Sequence, residues 1–239
     1  MRLIRRRART FWCGLGLAVG VAAFSPGAAS AVTLGGLPSR SLLGQTYLVG
    51  AVVDGFSHPA GTSLAGTTDA CGGAWHVLGG TITISSGGAA VSASTGLVTA
   101  SVPLCNGGTN PNEEVGGDIH STGSSSFGLV LHAQTGGRAS TAAVYSNASA
   151  GELDIQRIAA DGTVTVWATA AGTGGGNIAR FLRFSYINGV YQASINNVVL
   201  LTYTVTPAQR TAVEAHNEVG LVAVSDTRSS FDNLQSYAR

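Results

Sequence analysis

Apolar and polar residues alternate in short runs along the last third of the chain, Arg180 to Tyr237. Leu182, Phe184 and Tyr186 alternate with an arginine and a serine, which is the period of two expected for a half-buried β-strand. The dipeptide Asn188-Gly189 follows, and both of its residues tolerate the positive φ angles of a type I′ turn. Similar runs and turns continue to the end of this segment. The pattern therefore predicts five strands in an antiparallel meander.

The preceding residues carry the same signature, with turn residues about every 8 to 12 positions. One helix is predicted at Pro207 to Glu214, and the longest stretch without periodicity, Asn106 to Ser126, is predicted to be a loop. Roughly 12 to 14 short strands without a fixed repeat favour an all-β protein. The predicted fold is a two-sheet antiparallel β-sandwich of the jelly-roll type, formed by residues 47–239 as one domain.

The first 31 residues are predicted to be a secretory signal peptide. They begin with a cluster of arginines, continue with an apolar run from Phe11 to Phe24, and end at a small-x-small cleavage site, Ala29-Ser30-Ala31. The apolar run of about 14 residues is shorter than the roughly 20 that a membrane-spanning helix needs. We therefore expect a secreted, extracellular protein that begins near Val32, with residues 32–46 as an N-terminal arm.

The charge of the chain changes once the predicted signal peptide is discounted. All 13 basic residues are arginines, and five of them lie in that peptide. The other eight stand against 12 acidic residues, which gives a net charge of −4. The sequence contains no basic patch suited to phosphates and no Lys/Arg-rich amphipathic helix suited to a membrane surface. Nucleic acid and membranes are therefore not expected as partners of the processed protein.

Two cysteines, Cys71 and Cys105, lie outside the predicted signal peptide. In an oxidising compartment an even pair of cysteines most simply forms a disulfide. Neither residue belongs to a CxxC motif or a cluster of histidines and cysteines, so the sequence does not support a catalytic or metal-binding thiol. We expect a structural disulfide between them.

Segments spread over nearly the whole chain after the signal peptide carry a family resemblance, namely 54–66 with 75–84, 127–133, 180–184 with 188–189, and 220–223 with 231–234. They resemble the opening strands, the central strand, the late hairpin and the closing strands, respectively, of secreted concanavalin A-like and laminin-G-like jelly rolls. The resemblance implies a curved sandwich whose concave sheet often faces a glycan. It does not imply a single activity, because this fold hosts lectins, glycanases, lyases and adhesion modules.

The segment from Gly151 to Arg157 is similar to the E-x-D-x-(x)-E strand of laminarinase-like glucanases. A strand places Glu152, Asp154 and Gln156 on one face, at steps of about 6.6 Å. Retaining glycoside hydrolysis needs two carboxyls about 5 to 5.5 Å apart. The position of the third acid is occupied by Gln156, and neither this amide nor the arginine after it delivers a proton to a leaving group. The sequence therefore assigns no catalytic residue.

The same face is expected to bind a ligand instead. Sugars suit such surfaces because their hydroxyls pair with planar polar groups and their ring faces stack on aromatic side chains. The tryptophans Trp75 and Trp167 are expected in the core rather than in the site. The predicted ligand-binding residues are His132, Gln134, Tyr145, Glu152, Asp154, Gln156, Arg183 and Tyr191.

A structural calcium ion is the one cofactor that the sequence suggests. Asp54 lies near the first strand and Asp232 near the last, and the terminal strands of such folds pair. Their carboxylates, together with loop carbonyls, suit a hard cation that prefers oxygen ligands. Both residues also suit the ordinary roles of loop caps and salt-bridge partners. The five histidines are scattered and form no HxxxH or HxH motif, which disfavours zinc.

Three functions remain open on the sequence. The first is a secreted, non-catalytic, lectin-like protein that binds a glycan. The second is a glycoside hydrolase or polysaccharide lyase with acids from the predicted loop, at Glu113, Glu114 and Asp118. The third is an adhesion or structural module that binds another protein. Two carboxyls within about 5 to 10 Å of each other in an open groove would favour the enzyme. Exposed aromatic residues would favour the lectin-like protein, and a flat polar face would favour the adhesion module.

Overall fold

The structure is a computed structural model that describes residues 52–70, 72–85, 88–92, 96–104, 112–121, 126–146, 151–174, 178–224 and 229–238. The predicted signal peptide, the N-terminal arm, and Cys71 and Cys105 with their expected disulfide lie outside these residues. All described residues belong to one compact unit. The described ranges contain no helix long and apolar enough to cross a membrane.

The described residues form an all-β sandwich of two antiparallel sheets, as the alternation of apolar and polar residues predicts. One short helix, α1 (Pro207–Val213), lies at the predicted position and begins with a capping box between Thr206 and Gln209. The strands are β1 (Val52–Asp54), β2 (His76–Leu78), β3 (Ile82–Ile84), β4 (Ala90–Ser92), β5 (Leu97–Pro103), β6 (Glu113–Ser121), β7 (Ser126–Ala133), β8 (Ser140–Ser146), β9 (Glu152–Ile158), β10 (Val164–Ala171), β11 (Ile178–Ile187), β12 (Val190–Ile195), β13 (Val198–Thr204), β14 (Glu218–Val224) and β15 (Ser230–Ala238).

The strands are divided between a sheet of eight and a sheet of seven. The eight-stranded sheet has the order β13-β12-β11-β6-β15-β4-β3, with β1 also paired to β15, and the seven-stranded sheet has the order β10-β9-β8-β7-β14-β5-β2. The predicted five-strand meander is wrong in its last two strands. Strand β14 joins the centre of the seven-stranded sheet, and β15 returns to the other sheet beside β6. Local alternation does not determine which sheet a strand joins.

The predicted loop from Asn106 to Ser126 is wrong as well, because it contains the central strand β6. This strand pairs with β11 on one side and with β15 on the other. Val115 and Ile119 point into the core, but the other inward positions are Glu113 and Gly117. An acid and a glycine at inward positions interrupt the apolar period, which explains why the sequence pattern missed the strand.

Large aromatic side chains fill the space between the sheets. Trp75 is 1 % exposed, and Phe127 packs edge to face against Tyr145 with ring centroids 5.8 Å apart. Trp167 is half-buried and stacks on Tyr203 at 5.0 Å, which joins the edge strands β10 and β13 of the two sheets. Both tryptophans therefore pack in or against the core, as expected.

Candidate functional site

The structure brings three of the predicted binding residues together on the outer face of the seven-stranded sheet. Along β9, Leu153 and Ile155 point into the core. Glu152, Asp154 and Gln156 alternate with them and point outward. Glu152 is exposed, Gln156 is half-buried and Asp154 keeps 8 % of its surface exposed. A row of two carboxylates and one amide therefore runs along this strand.

Asp154 is held in a fixed orientation by two hydrogen bonds. Its Oδ1 accepts from the Thr169 hydroxyl at 2.7 Å, and its Oδ2 accepts from Gln156 Nε2 at 3.0 Å. Thr169 lies directly opposite Asp154 on the neighbouring strand β10. A β-bulge at Trp167 creates this pairing, because it shifts the register between the two strands by one residue. Sequence analysis missed Thr169 because nothing in the composition of β10 marks the bulge.

Apolar side chains lie beside this polar row on the same two strands. Val164 and Val166 pair with Ile158 and Gln156, and they are 40 % and 50 % exposed. The outer surface of the two strands therefore combines hydrogen-bonding groups with accessible apolar groups. We refer to this surface as the β9–β10 strip, defined by Glu152, Asp154, Gln156, Val164, Val166 and Thr169.

On the same outer face, the central strands carry a small apolar cluster, and a pair of serine hydroxyls lies beside it. Ser126 and Ser146 bond to each other at 3.1 Å, and Ser146 lies opposite Glu152. The cluster is buried and separate from the main core, because alternate residues of β7 and β8 point to opposite faces. It consists of Val130, Ala133, Ala142, Val144, Ile158 and Val222. None of its members is aromatic, so the polar strip lies beside aliphatic side chains.

The remaining predicted binding residues do not belong to this strip. Tyr145 points into the core, where its hydroxyl donates to the carbonyl of Gly174. Arg183 lies on the outer face of the other sheet and forms an ion pair with Glu114 at 3.1 Å. Gln134 lies in the turn after β7. The sequence-based hypothesis of one groove lined by all eight residues is therefore wrong.

His132 and Tyr191 also point inward and form a buried polar cluster between the sheets. The His132 backbone has a φ of 51° at a register shift between β7 and β14, and this bulge turns the imidazole into the core. His132 Nδ1 lies 2.6 Å from the Tyr191 hydroxyl, which donates to Thr141 Oγ1 at 3.1 Å. His132 Nε2 lies 4.0 Å from a carboxylate oxygen of Glu113, and neither side chain is accessible to solvent. The cluster is enclosed between the sheets and offers no open surface to a ligand.

Burial raises the pKa of Glu113 well above its ordinary value of 4.5. The folded protein therefore holds this proton at pH values where the unfolded chain has already released it, so stability falls as pH rises through that window. The slope from this single group is at most about 1.4 kcal/mol per pH unit. We expect Glu113→Gln to remove this part of the slope, measured by urea unfolding from pH 4.5 upward. The exposed Glu152→Gln variant serves as the control, and an unchanged slope in Glu113→Gln would contradict the assignment.

The carboxylates that the enzyme hypothesis required do not form a catalytic pair. Glu113 is buried between the sheets, whereas Glu114 and Asp118 lie on the outer face of β6, four residues apart. That spacing corresponds to about 13 Å along a strand. On the seven-stranded sheet, Asp154 and Glu218 are separated by three strand spacings, or about 14 Å. Both distances exceed the roughly 5 to 9.5 Å of glycosidase carboxyl pairs.

Two other pairs are closer: Glu152 and Asp154 are one step of about 6.6 Å apart on β9, and Asp118 lies directly opposite Asp232 on β15. In the first pair Asp154 is buried and both of its oxygens accept internal hydrogen bonds, and in the second pair Asn233 donates to both carboxylates.

The two aspartates of the suggested calcium site point to opposite faces of their sheet. Strands β1 and β15 do pair, with Asp54 opposite Leu234. However, Asp54 points inward, and its two oxygens accept from Phe56 N and Trp75 Nε1 at 2.6 and 2.7 Å. Asp232 follows the core residue Phe231 and points outward. The described residues also contain no group of three or more His, Cys, Asp or Glu side chains suited to a metal ion.

Comparison with known proteins identifies the fold. No protein-family model and no curated protein sequence matches the chain. The carbohydrate-binding module CBM66 from Bacillus subtilis matches with a TM-score of 0.58 and 13 % identity, over 75 % of this chain and 100 % of that one. A β-1,3-glucanase from Mycobacterium marinum matches with a TM-score of 0.52 and 13 % identity, over 80 % and 99 % of the two chains. A Bacillus subtilis protein with a galectin-like fold matches with a TM-score of 0.50 and 11 % identity, over 69 % and 89 %.

These similarities and the two-sheet topology define the class of the protein, which has the concanavalin A-like jelly-roll fold. The matching structures include a carbohydrate-binding module and a glucanase. The fold is therefore common to binding and to catalysis, and the function has to be argued from the side chains of the site.

Proposed function

We propose that the protein is a non-catalytic, lectin-like domain that binds a glycan at the β9–β10 strip. The observation that carries the proposal is the fixed carboxylate of Asp154, which is itself buried and which Thr169 and Gln156 hold beneath the exposed side chains of Glu152 and Thr169. A preorganised polar group favours binding because little conformational entropy is lost when the ligand arrives. The carbohydrate-binding module with the same fold supports the proposal.

The strip is richer in acceptors than in donors. A carboxylate has about four lone-pair positions, so Asp154 retains acceptor capacity after its two internal bonds. The Thr169 hydroxyl donates to Asp154 and keeps its lone pairs for a ligand, and exposed Glu152 adds a second carboxylate. Such a surface is complementary to a ligand with many hydroxyl donors, which is the chemistry of a sugar.

The charge of the strip favours neutral glycans over acidic ones. Glu152 and Asp154 are both carboxylates, and the nearest arginine of β9, Arg157, alternates to the opposite face. An anionic uronate or sulfate would face these two carboxylates, and such contacts disfavour binding. The guanidinium of Arg138 lies beside Gly162, in the turn between β9 and β10, and not among the residues of the strip. The exposed Val164 and Val166 would contact the C–H faces of a neutral sugar ring. We therefore infer a neutral polysaccharide or oligosaccharide as the ligand class.

A glycan array and a polysaccharide pull-down test this proposal, with the N-terminus of the purified protein determined by intact mass. We expect binding to neutral glycans without release of reducing sugars or unsaturated products. Asp154→Ala is expected to weaken binding about tenfold or more, because hydrogen bonds to a charged group contribute about 1.5 to 3 kcal/mol. Arg183→Ala, on the outer face of the other sheet, is the control and should bind as the wild type does.

Two results would overturn the proposal. If the protein bound no glycan on the array, the proposal that its ligand is a glycan would be wrong. If Asp154→Ala and Arg183→Ala lost binding equally, the proposal that the site is the β9–β10 strip would be wrong. Turnover of a bound glycan would favour the enzyme instead. In that case Glu152 and Asp154 would be the first residues to examine, because they are adjacent carboxylates on one face.

A further inference from the structure

The inward face of the seven-stranded sheet is apolar in its middle and polar at one end. At that end, β8, β9 and β10 place Thr141, Arg157 and Thr165 directly opposite one another. Arg157 points into the sandwich because it lies two residues after the core residue Ile155 on β9. Residues opposite each other on paired strands have Cβ atoms about 4.5 to 5.5 Å apart. A guanidinium therefore lies between two hydroxyl-bearing side chains on the inward face.

The interior of the sandwich opens to solvent where this row reaches the edge of the sheet. Thr141 is fully buried, Arg157 is half-buried and Thr165 is exposed. An inward-facing side chain is exposed only where the opposite sheet does not cover it. The row therefore leads from the buried Tyr191 hydroxyl, which donates to Thr141 Oγ1 at 3.1 Å, to a mouth at the edge strand β10. A small ligand has access to Arg157 through this mouth.

The guanidinium of Arg157 lacks the partners that a desolvated charge requires. Its Nη1 is buried and has no hydrogen-bond partner. The ion pairs among the described residues include none with Arg157. Burial lowers the pKa of Arg157, but an arginine side chain in a protein stays charged. A charge removed from water without a counter-charge is unfavourable, so a bound anion would stabilise this position.

The acidic groups around the row do not compensate this charge. Glu113 lies deeper between the sheets, and burial raises its pKa so that it retains its proton. Glu214 forms an ion pair with Arg210 Nε at 2.8 Å and is thereby already neutralised. His216, in the turn before β14, adds a second basic group, and its burial and the charge of Arg157 lower its pKa. This part of the molecule therefore carries a positive charge that no described carboxylate balances.

We propose that Arg157, Thr165 and His216 form a binding site for a small oxyanion, such as a carboxylate or sulfate group. The planar guanidinium presents paired N–H donors that match two oxygens of such a group. The Thr165 hydroxyl and the N–H of the imidazole add neutral donors. We refer to this site as the Arg157 corner. It uses the inward side of β9 and β10, so the proposal does not rest on glycan binding at the outward β9–β10 strip.

An NMR titration of the His216 ring protons against pH tests the proposal, with sodium chloride, sodium sulfate and sodium acetate compared at equal ionic strength. The charge of Arg157 lowers the pKa of His216 in the free protein, and a bound anion offsets that charge. We therefore expect the pKa of His216 to be higher by about 0.5 or more in sulfate or acetate than in chloride. A rise in acetate alone would assign a carboxylate ligand, and a rise in sulfate alone a tetrahedral oxyanion. An unchanged pKa in both salts would overturn the proposal.

Matched variants locate the effect. Arg157→Gln should raise the pKa of His216 in chloride and abolish its dependence on the oxyanion, whereas Arg183→Gln on the other sheet should respond as the wild type does. Thr165→Val keeps the guanidinium and should raise the anion concentration at half effect about threefold or more, which tests the site even if Arg157→Gln does not fold. A wild-type response in Arg157→Gln or in Thr165→Val would contradict the assignment. Asp154→Ala should retain the response, which separates a failure of this proposal from a failure of the proposed function.

Discussion

Gly220→Ala is expected to abolish the folded protein. A β-carbon at this position in β14 would overlap with the carbonyl oxygen of Ala100 on the paired strand β5. The obstacle is backbone in the middle of the sheet, so no side chain can move to accommodate it. Gly128 in the adjacent strand β7 has the same relation to the carbonyl oxygen of Ala143. We expect either substitution to cost more than about 4 kcal/mol, which is a large part of the total stability of a domain.

Circular dichroism and urea unfolding of the purified variants measure this effect. Gly55→Ala is a matched control, because a β-carbon there meets nothing within 4 Å and its φ is not positive. This control is expected to change stability by no more than about 0.5 kcal/mol. A cooperative unfolding transition near that of the wild type in both Gly220→Ala and Gly128→Ala would contradict the close packing of β7 and β14 against their neighbouring strands.

Asp54→Ala is expected to cause the second largest loss of stability. The buried carboxylate accepts from the indole N–H of Trp75 and from the backbone N–H of Phe56, whose φ is 49°. Removing the carboxylate leaves the indole N–H of the buried Trp75 without an acceptor. It also removes the hydrogen bond that holds Phe56 in the turn after β1. Hydrogen bonds to a charged group contribute about 1.5 to 3 kcal/mol each, so we expect a loss of roughly 3 to 5 kcal/mol.

Thermal and urea unfolding compare Asp54→Ala with two other variants. Asp54→Asn keeps one acceptor oxygen and is expected to lose less stability than Asp54→Ala. Asp161→Ala removes a carboxylate that also accepts from a backbone N–H two residues ahead, but at an exposed position. Equal losses in Asp54→Ala and Asp161→Ala would show that burial and the Trp75 contact contribute nothing, which would contradict the expected role of Asp54.

The class of the fold was predictable because it depends on local patterns. The helix predicted at Pro207 to Glu214 is present at Pro207–Val213. The alternation also predicts that Tyr191 points inward, because it shares its face with the apolar Ala193 and Ile195. The prediction that Tyr191 binds a ligand is inconsistent with this pattern. Period-two patterns therefore predict strands and their inward faces, but not their partners.

The errors in the site arose from features that alternation does not encode. Leu129 and Leu131 point into the core, so strict alternation predicts that His132 points outward. The bulge at His132 instead turns its side chain into the core. The bulge at Trp167 shifts the register by one residue and thereby places Thr169, rather than Ala168, opposite Asp154. Pairing across strands depends on tertiary contacts, so neither bulge was visible in the sequence. The row Glu152, Asp154 and Gln156 was predictable because it lies within one regular strand.

Isothermal titration of the best array ligand into Thr169→Val and Thr165→Val tests the central claim most directly. Valine keeps the shape of threonine, and both positions are exposed on β10, but only Thr169 donates to Asp154. If the β9–β10 strip binds the glycan, Thr169→Val should bind about three- to tenfold more weakly, corresponding to one lost hydrogen bond. Thr165→Val should bind with the wild-type affinity. Equal affinities for the wild type and both variants would contradict a glycan site on this strip.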